Sequence, residues 1–313
     1  MTAELLVLVV GFTAMSGGLA QIEPEPADIG ARFMEIARKE RAREDGVNTI
    51  PGSVLAAQPE VALRELRLYE QDPSPRVRWQ VYAHYWSLGV STDRRDIRRA
   101  VTEKLLLATD DFAAERLLSF EEEDFGPRAR ILLRQMLAPD PKETTKDATT
   151  YWHLVLVAGI AQMREEIPHL GTFLFDELAP RANAGARMSY GRVGWAARLA
   201  RARMGVEEDV ARAIEVVEAE SDPGYRVTSL LRRLGYIRHP AAFAAIAKYL
   251  ESEERLPRVK DNVPGAEFAQ YAMEVLAESV PDFPVPRKYL AYTQEDIQQA
   301  RVWMDSRFKQ GRD

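Results

Sequence analysis

The segment Leu230-Leu231-Arg232-Arg233-Leu234-Gly235-Tyr236-Ile237-Arg238-His239-Pro240-Ala241-Ala242-Phe243-Ala244-Ala245-Ile246 reads as a complete helix–turn–helix unit. One amphipathic helix runs to a glycine, a short turn follows, and Pro240 opens a second helix at a position where its missing N–H costs nothing. Variants of this unit recur along nearly the whole chain. A two-helix unit cannot bury its apolar face alone, so recurrence predicts neighbours stacked into an α-solenoid rather than an enzyme folded around a pocket.

Apolar residues at helical spacing, punctuated by Pro, Gly and Asp, organise the chain from Asp28 onward. Asp28 caps a helix with Ile29, Phe33 and Ile36 on one stripe, ending near Gly46. A second helix opens at Pro59 and runs through Val61, Leu63, Leu66 and Tyr69. Ser74 and Pro75 then start a helix that stops at Gly89, and its partner runs from about Asp93 to Ala108. Further pairs are predicted at 111–120 with 126–138, 148–162 with 165–178, 187–204 with 207–220, 223–235 with 240–254, and 265–279 with 293–309. Thr293 and Asp296 form a capping-box-like start for the last helix. No stretch alternates apolar and polar residues with β-branched enrichment, so no strand is expected. The expectation is all-α, with about seven antiparallel helix pairs at a spacing of roughly 40 residues. Gly89, Ala161, Gly205 and Gly235 occupy comparable turn positions in this register.

Leu234-Gly235-Tyr236-Ile237-Arg238-His239-Pro240-Ala241-Ala242-Phe243 resembles the turn and second-helix opening of HEAT repeats. Asp72-Pro73 followed by Val77-Arg78 is similar to the opening of their first helix, and Ala161–Leu170 is a shorter variant of the turn. The resemblance covers most of residues 59–254. It implies a right-handed HEAT- or armadillo-like solenoid whose second helices line a concave, partner-binding side.

Two stretches interrupt the array. Residues 139–147, with Pro139 and Pro141, read as a joint between repeats 28–138 and 148–279. Pro281, Pro284 and Pro286 break the chain again, so 280–313 is expected to turn back as a capping helix, covering an end that lacks a neighbour.

The leading residues carry an address. Leu5 to Met15 is an apolar run of signal-peptide length, followed by small residues ending Gly18-Leu19-Ala20. Cleavage before Gln21 would leave a short acidic, proline-bearing spacer at 21–27 and place the protein in the periplasm or outside the cell. The run is shorter than the roughly 20 apolar residues of a bilayer span, so no stable membrane insertion is expected after cleavage. Glu4 in place of a basic residue is the departure from the signal pattern, and a retained anchor is the rival reading.

Chemistry candidates are sparse. The chain has no cysteine, which removes disulfides and thiolate chemistry, and a net charge of −6, which argues against general phosphate-backbone binding. His84, His153, His169 and His239 show no metal-ligand spacing, and His153 beside Trp152 reads as a core histidine. Asp110-Asp111 and Glu121-Glu122-Glu123-Asp124 could be hydrolytic carboxylate pairs, but at inferred helix ends they read as solvated caps. Trp79, Tyr82 and Trp86 share a helix face, which suits a core stripe better than a sugar platform. Gly185, Gly191 and Gly194 lack the preceding strand of a phosphate loop, and Ser306-Arg307-Phe308-Lys309 matches a Ser-x-x-Lys motif by letters only. No catalytic, cofactor or metal residue is assigned.

Charge segregation is the most unusual feature. Residues 187–203 carry Arg187, Arg192, Arg198, Arg201 and Arg203 and no acid, while 207–220 carries six acids against Arg212. Either the two helices neutralise each other or the acids form a surface. With Val206, Val210, Ile214 and Val217 as the buried stripe, Glu208, Arg212 and Glu215 point away from it. The expected function is an exported scaffold that holds a protein or peptide, cationic where it meets these residues, with no catalysis of its own. A secreted helical-toroid enzyme acting on polysaccharide and a HEAT-like DNA glycosylase are the rival classes.

Overall fold

Prolines set several of the helix starts. Pro59, Pro75, Pro127, Pro223 and Pro240 each occupy the first turn of a helix, where the missing donor is no loss. The computed structural model describes residues 28–40, 50–108, 111–138, 148–174, 190–256 and 266–308. The apolar run at 5–15, the spacer 21–27, the joint 139–147, Gly46 and Gly185 lie outside them. The described residues are all-helical, without strands; an isolated antiparallel bridge joins Arg255 and Glu267.

The helices are α1 (Asp28–Glu40), α2 (Gly52–Ala57), α3 (Pro59–Arg67), α4 (Pro75–Ser91), α5 (Arg95–Ala108), α6 (Asp111–Arg116), α7 (Pro127–Leu137), α8 (Ala148–Ile160), α9 (Ile167–Gly171), α10 (Tyr190–Arg203), α11 (Glu207–Ala219), α12 (Pro223–Tyr225), α13 (Leu231–Ile237), α14 (Pro240–Ala247), α15 (Phe268–Ser279) and α16 (Gln294–Phe308). α12 continues into α13 through a π-helical turn, Arg226–Leu230. Packing follows chain order: α4 lies on α5, α10 on α11, and α13 on α14. Between units, α6 lies on α8, α8 on α10, α10 on α13 and α13 on α15, while α5 meets α7, α11 meets α14 and α14 meets α16. Buried apolar residues form one core cluster from Ile29 to Met304.

α8 is the most enclosed element. Tyr151, Trp152, Leu154 to Ala158 and Ile160 are all buried, as expected for a helix that is apolar on every side. Its contact with α10 depends on Gly159, where a Cβ would lie 2.8 Å from Ala200 Cα and 2.2 Å from the Tyr236 hydroxyl. Ala196, Ala197 and Ala200 keep α10 equally slim on that side.

Several boundaries differ from expectation. α2 was not foreseen, because six residues show too little of a helical period. α4 runs on through Gly89 and ends beyond it, with Thr92 extended at φ −117° and ψ 140°. Gly235 likewise sits inside α13, where a Cβ would lie 2.6 Å from both Val275 Cγ1 and Ser279 Oγ. The left-handed turn residue of that unit is Arg238 at φ 54°, matching Gln162 at φ 50° and Gly205 at φ 94° in the two preceding turns. Thr293 and Asp296 do form a reciprocal cap, each accepting the other's backbone N–H at 3.2 and 2.7 Å.

The residue leading into α2 is tied to α4 by an imidazole. His84 is fully buried; its Nδ1 lies 2.7 Å from the Gln80 carbonyl oxygen, and its Nε2 accepts the Ile50 N–H at 3.0 Å. A carbonyl can only accept, so Nδ1 carries the proton and Nε2 is bare. Burial pushes the pKa of His84 down to about 4 from an ordinary 6.5, with the Gln80 hydrogen bond opposing. Between those values the unfolded chain binds a proton that the folded chain refuses, so stability is full above pH 6.5 and falls as the pH drops toward 4. The expected loss is about 3 kcal/mol. Urea midpoints measured from pH 7 to 4 should fall more steeply for the natural chain than for His84→Gln, and parallel profiles would contradict this account.

Candidate partner-binding surface

Two arginines of α10 converge on a buried acid of α11. Arg198 Nη1 and Arg201 Nε both donate to Asp209, at 2.7 Å to Oδ1 and 2.7 Å to Oδ2. Asp209 is 1% exposed, and burial raises its pKa while Arg201 and Arg198 pull it back. Arg203 turns elsewhere. Glu208, Arg212 and Glu215 are left exposed, with Arg212 Nη1 bonded to Glu215 Oε2 at 3.0 Å along the same helix. Val210 and Val217 are buried and Val206 and Ile214 half-buried, as the stripe predicts. Farther along, Glu218 meets Lys248 at 2.5 Å, and Glu207 lies 3.2 Å from His239 Nε2.

A second feature was not anticipated. Turns from successive units converge on a cleft of about 250 Å³, lined by Glu121, Glu122, Glu123, Ile160, Gln162, Arg203 and Arg238. Arg238 Nη1 and Nη2 donate to the two carboxylate oxygens of Glu121 at 2.7 and 3.1 Å. Gln162 Nε2 donates to the Gly159 and Arg203 carbonyls at 3.2 and 3.1 Å. Arg203 donates to the Tyr236 carbonyl, stacks on the Tyr236 ring at 4.9 Å, and leaves its buried Nε without a partner. Burial lowers the Arg203 pKa; Arg238 lowers it further, while Glu121 and Glu122 oppose.

The acid run around this cleft is not the uniformly solvated cap its composition suggests. Asp124 is 3% exposed and takes a bidentate bond from Arg98 at 2.8 and 2.6 Å, while its Oδ2 also accepts the Glu121 N–H at 2.9 Å. Only Glu121, Glu122 and Glu123 of that run reach solvent. Local sequence cannot tell these roles apart, because four adjacent acids look alike until Arg98 is placed. The non-glycine residues at the left-handed positions, Gln162 and Arg238, were the available signal, but only in the correct turn register.

The remaining candidates fall into place as packing. Tyr82 and Trp86 are half-buried against the core, with Arg116 over the Trp86 ring at 4.5 Å; Trp79 is half-buried too. His153 is half-buried, not deep in the core. His169 Nε2 donates to the Leu137 carbonyl at 2.9 Å, and His239 caps α14 by accepting the Ala241 N–H at 3.2 Å. Asp110 lies outside the described residues, Gly191 and Gly194 are within α10, and Ser306 Oγ donates to the Trp303 carbonyl. No group of three or more His, Asp or Glu among the described residues is placed to hold a metal ion. No described helix is long and apolar enough to cross a membrane.

No family model, curated protein or solved structure matches this chain.

The two kinds of acid on α11 should separate on truncation. Asp209→Ala removes the carboxylate shared by two largely buried guanidiniums and should cost about 3–5 kcal/mol, whereas Glu208→Ala should stay within about 0.5 kcal/mol. Chemical denaturation of the two variants measures the contrast.

Proposed function

We propose that this chain is an exported, right-handed HEAT-like solenoid that holds a cationic protein or peptide segment against its acidic surface, without catalysis of its own. Support for the repeat architecture comes from chain-ordered packing of helix on helix and from the left-handed residue that recurs at Gln162, Gly205 and Arg238. The observation that carries the binding role is the allocation of charge. Asp209 takes Arg198 and Arg201, while Glu208 and Glu215 face solvent, Glu215 paired with Arg212 of its own helix. Glu207 is exposed at the start of α11, and Glu122 and Glu123 line the cleft. If second helices line the concave side, as in HEAT repeats, Glu208, Arg212 and Glu215 belong to the partner groove. A polysaccharide-cleaving reading is weaker, because no aromatic side chain among the described residues lines the cleft that holds the carboxylates.

Export is part of the proposal and rests on the apolar run at 5–15 and the small residues before Gln21. Binding is tested with two fluorescent peptides, one of mixed arginine and lysine and one of glutamate. The cationic peptide should bind, its affinity should fall with added salt, and Glu208→Lys with Glu215→Lys should weaken it about tenfold or more. The melting temperature of the double variant should stay within roughly 2 °C, since exposed charges contribute little to folding. A large fall in melting temperature with unchanged peptide binding would instead make these acids structural. Intact mass of the protein from its native host should correspond to a chain beginning at Gln21.

A further inference from the structure

We propose that Arg238 and Glu121 form a releasable clasp that curls the turn edge of the molecule around the cleft. Glu121 precedes the short turn 122–124 between α6 and α7, and Arg238 follows α13. Two other turns lie between them, one after α8 at Gln162 and one after α10 at Gly205. Packed helices stand about 8–10 Å apart, so three steps along a straight row would separate the outer turns by roughly 25–30 Å. An extended arginine and glutamate together span only on the order of 10 Å. The bidentate bond at 2.7 and 3.1 Å therefore exists only because the four turns bend toward one another.

The other ties along this edge connect neighbours. Gln162 reaches the Arg203 carbonyl and Arg203 reaches the Tyr236 carbonyl. Such links hold adjacent turns together and leave their cumulative curl free to vary. The Arg238–Glu121 contact crosses all four turns and closes the curve. Its construction suits release more than permanence. The side chains are 37% and 48% exposed, so ions can reach and screen them. Arg203 in the same cleft repels the Arg238 guanidinium, and Arg238 itself holds a left-handed backbone that glycine would adopt more readily. Opening the pair widens the cleft and straightens the edge on which Glu207 and Glu208 stand.

Because the chain contains no cysteine, Ser119→Cys and Ala241→Cys provide two unambiguous spin-label sites, both exposed and flanking the clasp. Electron–electron distance measurement on the full chain at low salt should give a single short distribution. In about 1 M salt, where the Debye length is about 3 Å, and in Glu121→Gln at low salt, the distribution should move outward by about 5 Å or more, half a helix diameter. The charge swap Glu121→Arg with Arg238→Glu should return it to the short distance at low salt. The salt arm needs no substitution in the pair, so it stands even if a variant folds poorly. An identical distance at low salt, at high salt and in Glu121→Gln would overturn the clasp.

Discussion

Every helix leaves its last carbonyls without an intrahelical partner, and a structure made of short helices has many such acceptors to satisfy. In this protein they become the joints between units. The Leu137 carbonyl at the end of α7 accepts from the Tyr151 hydroxyl at 2.6 Å and from His169 Nε2. The Arg203 carbonyl ending α10 accepts from Gln162, and the Tyr236 carbonyl near the end of α13 accepts from Arg203. The Leu250 carbonyl, after α14, takes a forked bond from Arg301 of α16. In each case the donor comes from an adjoining unit, so one hydrogen bond both satisfies a helix end and fixes a neighbour. A donor lost here leaves a carbonyl unpaired and loosens an interface together.

The centre of the molecule adds a steric condition to this polar one. α8 is enclosed by α6, α7 and α10, and its approach to α10 is set by the absent side chain of Gly159. Tyr236 enters the same space from α13 and donates from its hydroxyl to the Leu156 carbonyl at 2.5 Å, a bond inside α8 rather than at its end. Three successive first helices thus meet at one small residue. The burial that results raises the Tyr236 pKa and keeps its hydroxyl protonated as a donor. Tyr236 also supplies the ring on which Arg203 stacks, so the apolar core and the polar cleft share a side chain.

Helix identity was legible because proline and polar caps act locally. Pro59, Pro75, Pro127 and Pro240 mark starts that the structure keeps, and the stripe of Val210 and Val217 gives the buried face of α11. Turn register was less legible. Gly89 and Gly235 look like helix stops, but both lie inside helices, and Gly235 is required for packing against α15 rather than for a left-handed turn. The left-handed position fell instead on Arg238 and Gln162, which composition alone does not mark. The π turn at Arg226–Leu230 and the short α2 were equally silent, since neither has a period of its own. Least legible was the cleft: Glu121 and Arg238 are 117 residues apart, and nothing local in a sequence encodes their pairing.

Arginine holds the acids of the interior. Asp124 is held by Arg98, Asp209 by Arg198 and Arg201, and Glu274 by Arg287 with help from the Tyr292 hydroxyl. All three acids are under 4% exposed, and a buried carboxylate without such a partner would be strongly unfavourable. The guanidinium suits this task because its planar donors match a carboxylate on two edges and it remains charged when desolvated. Four arginines are committed to these three acids in a chain with 42 bases against 48 acids. The interior thereby takes up one more cation than acid, while Glu208 stays exposed and Glu122 faces Arg130 at 3.7 Å. α10 and α11 look complementary in sequence, and in space Arg198 and Arg201 of α10 converge on Asp209, while Glu218 of α11 turns to Lys248 and Glu215 to Arg212 of its own helix.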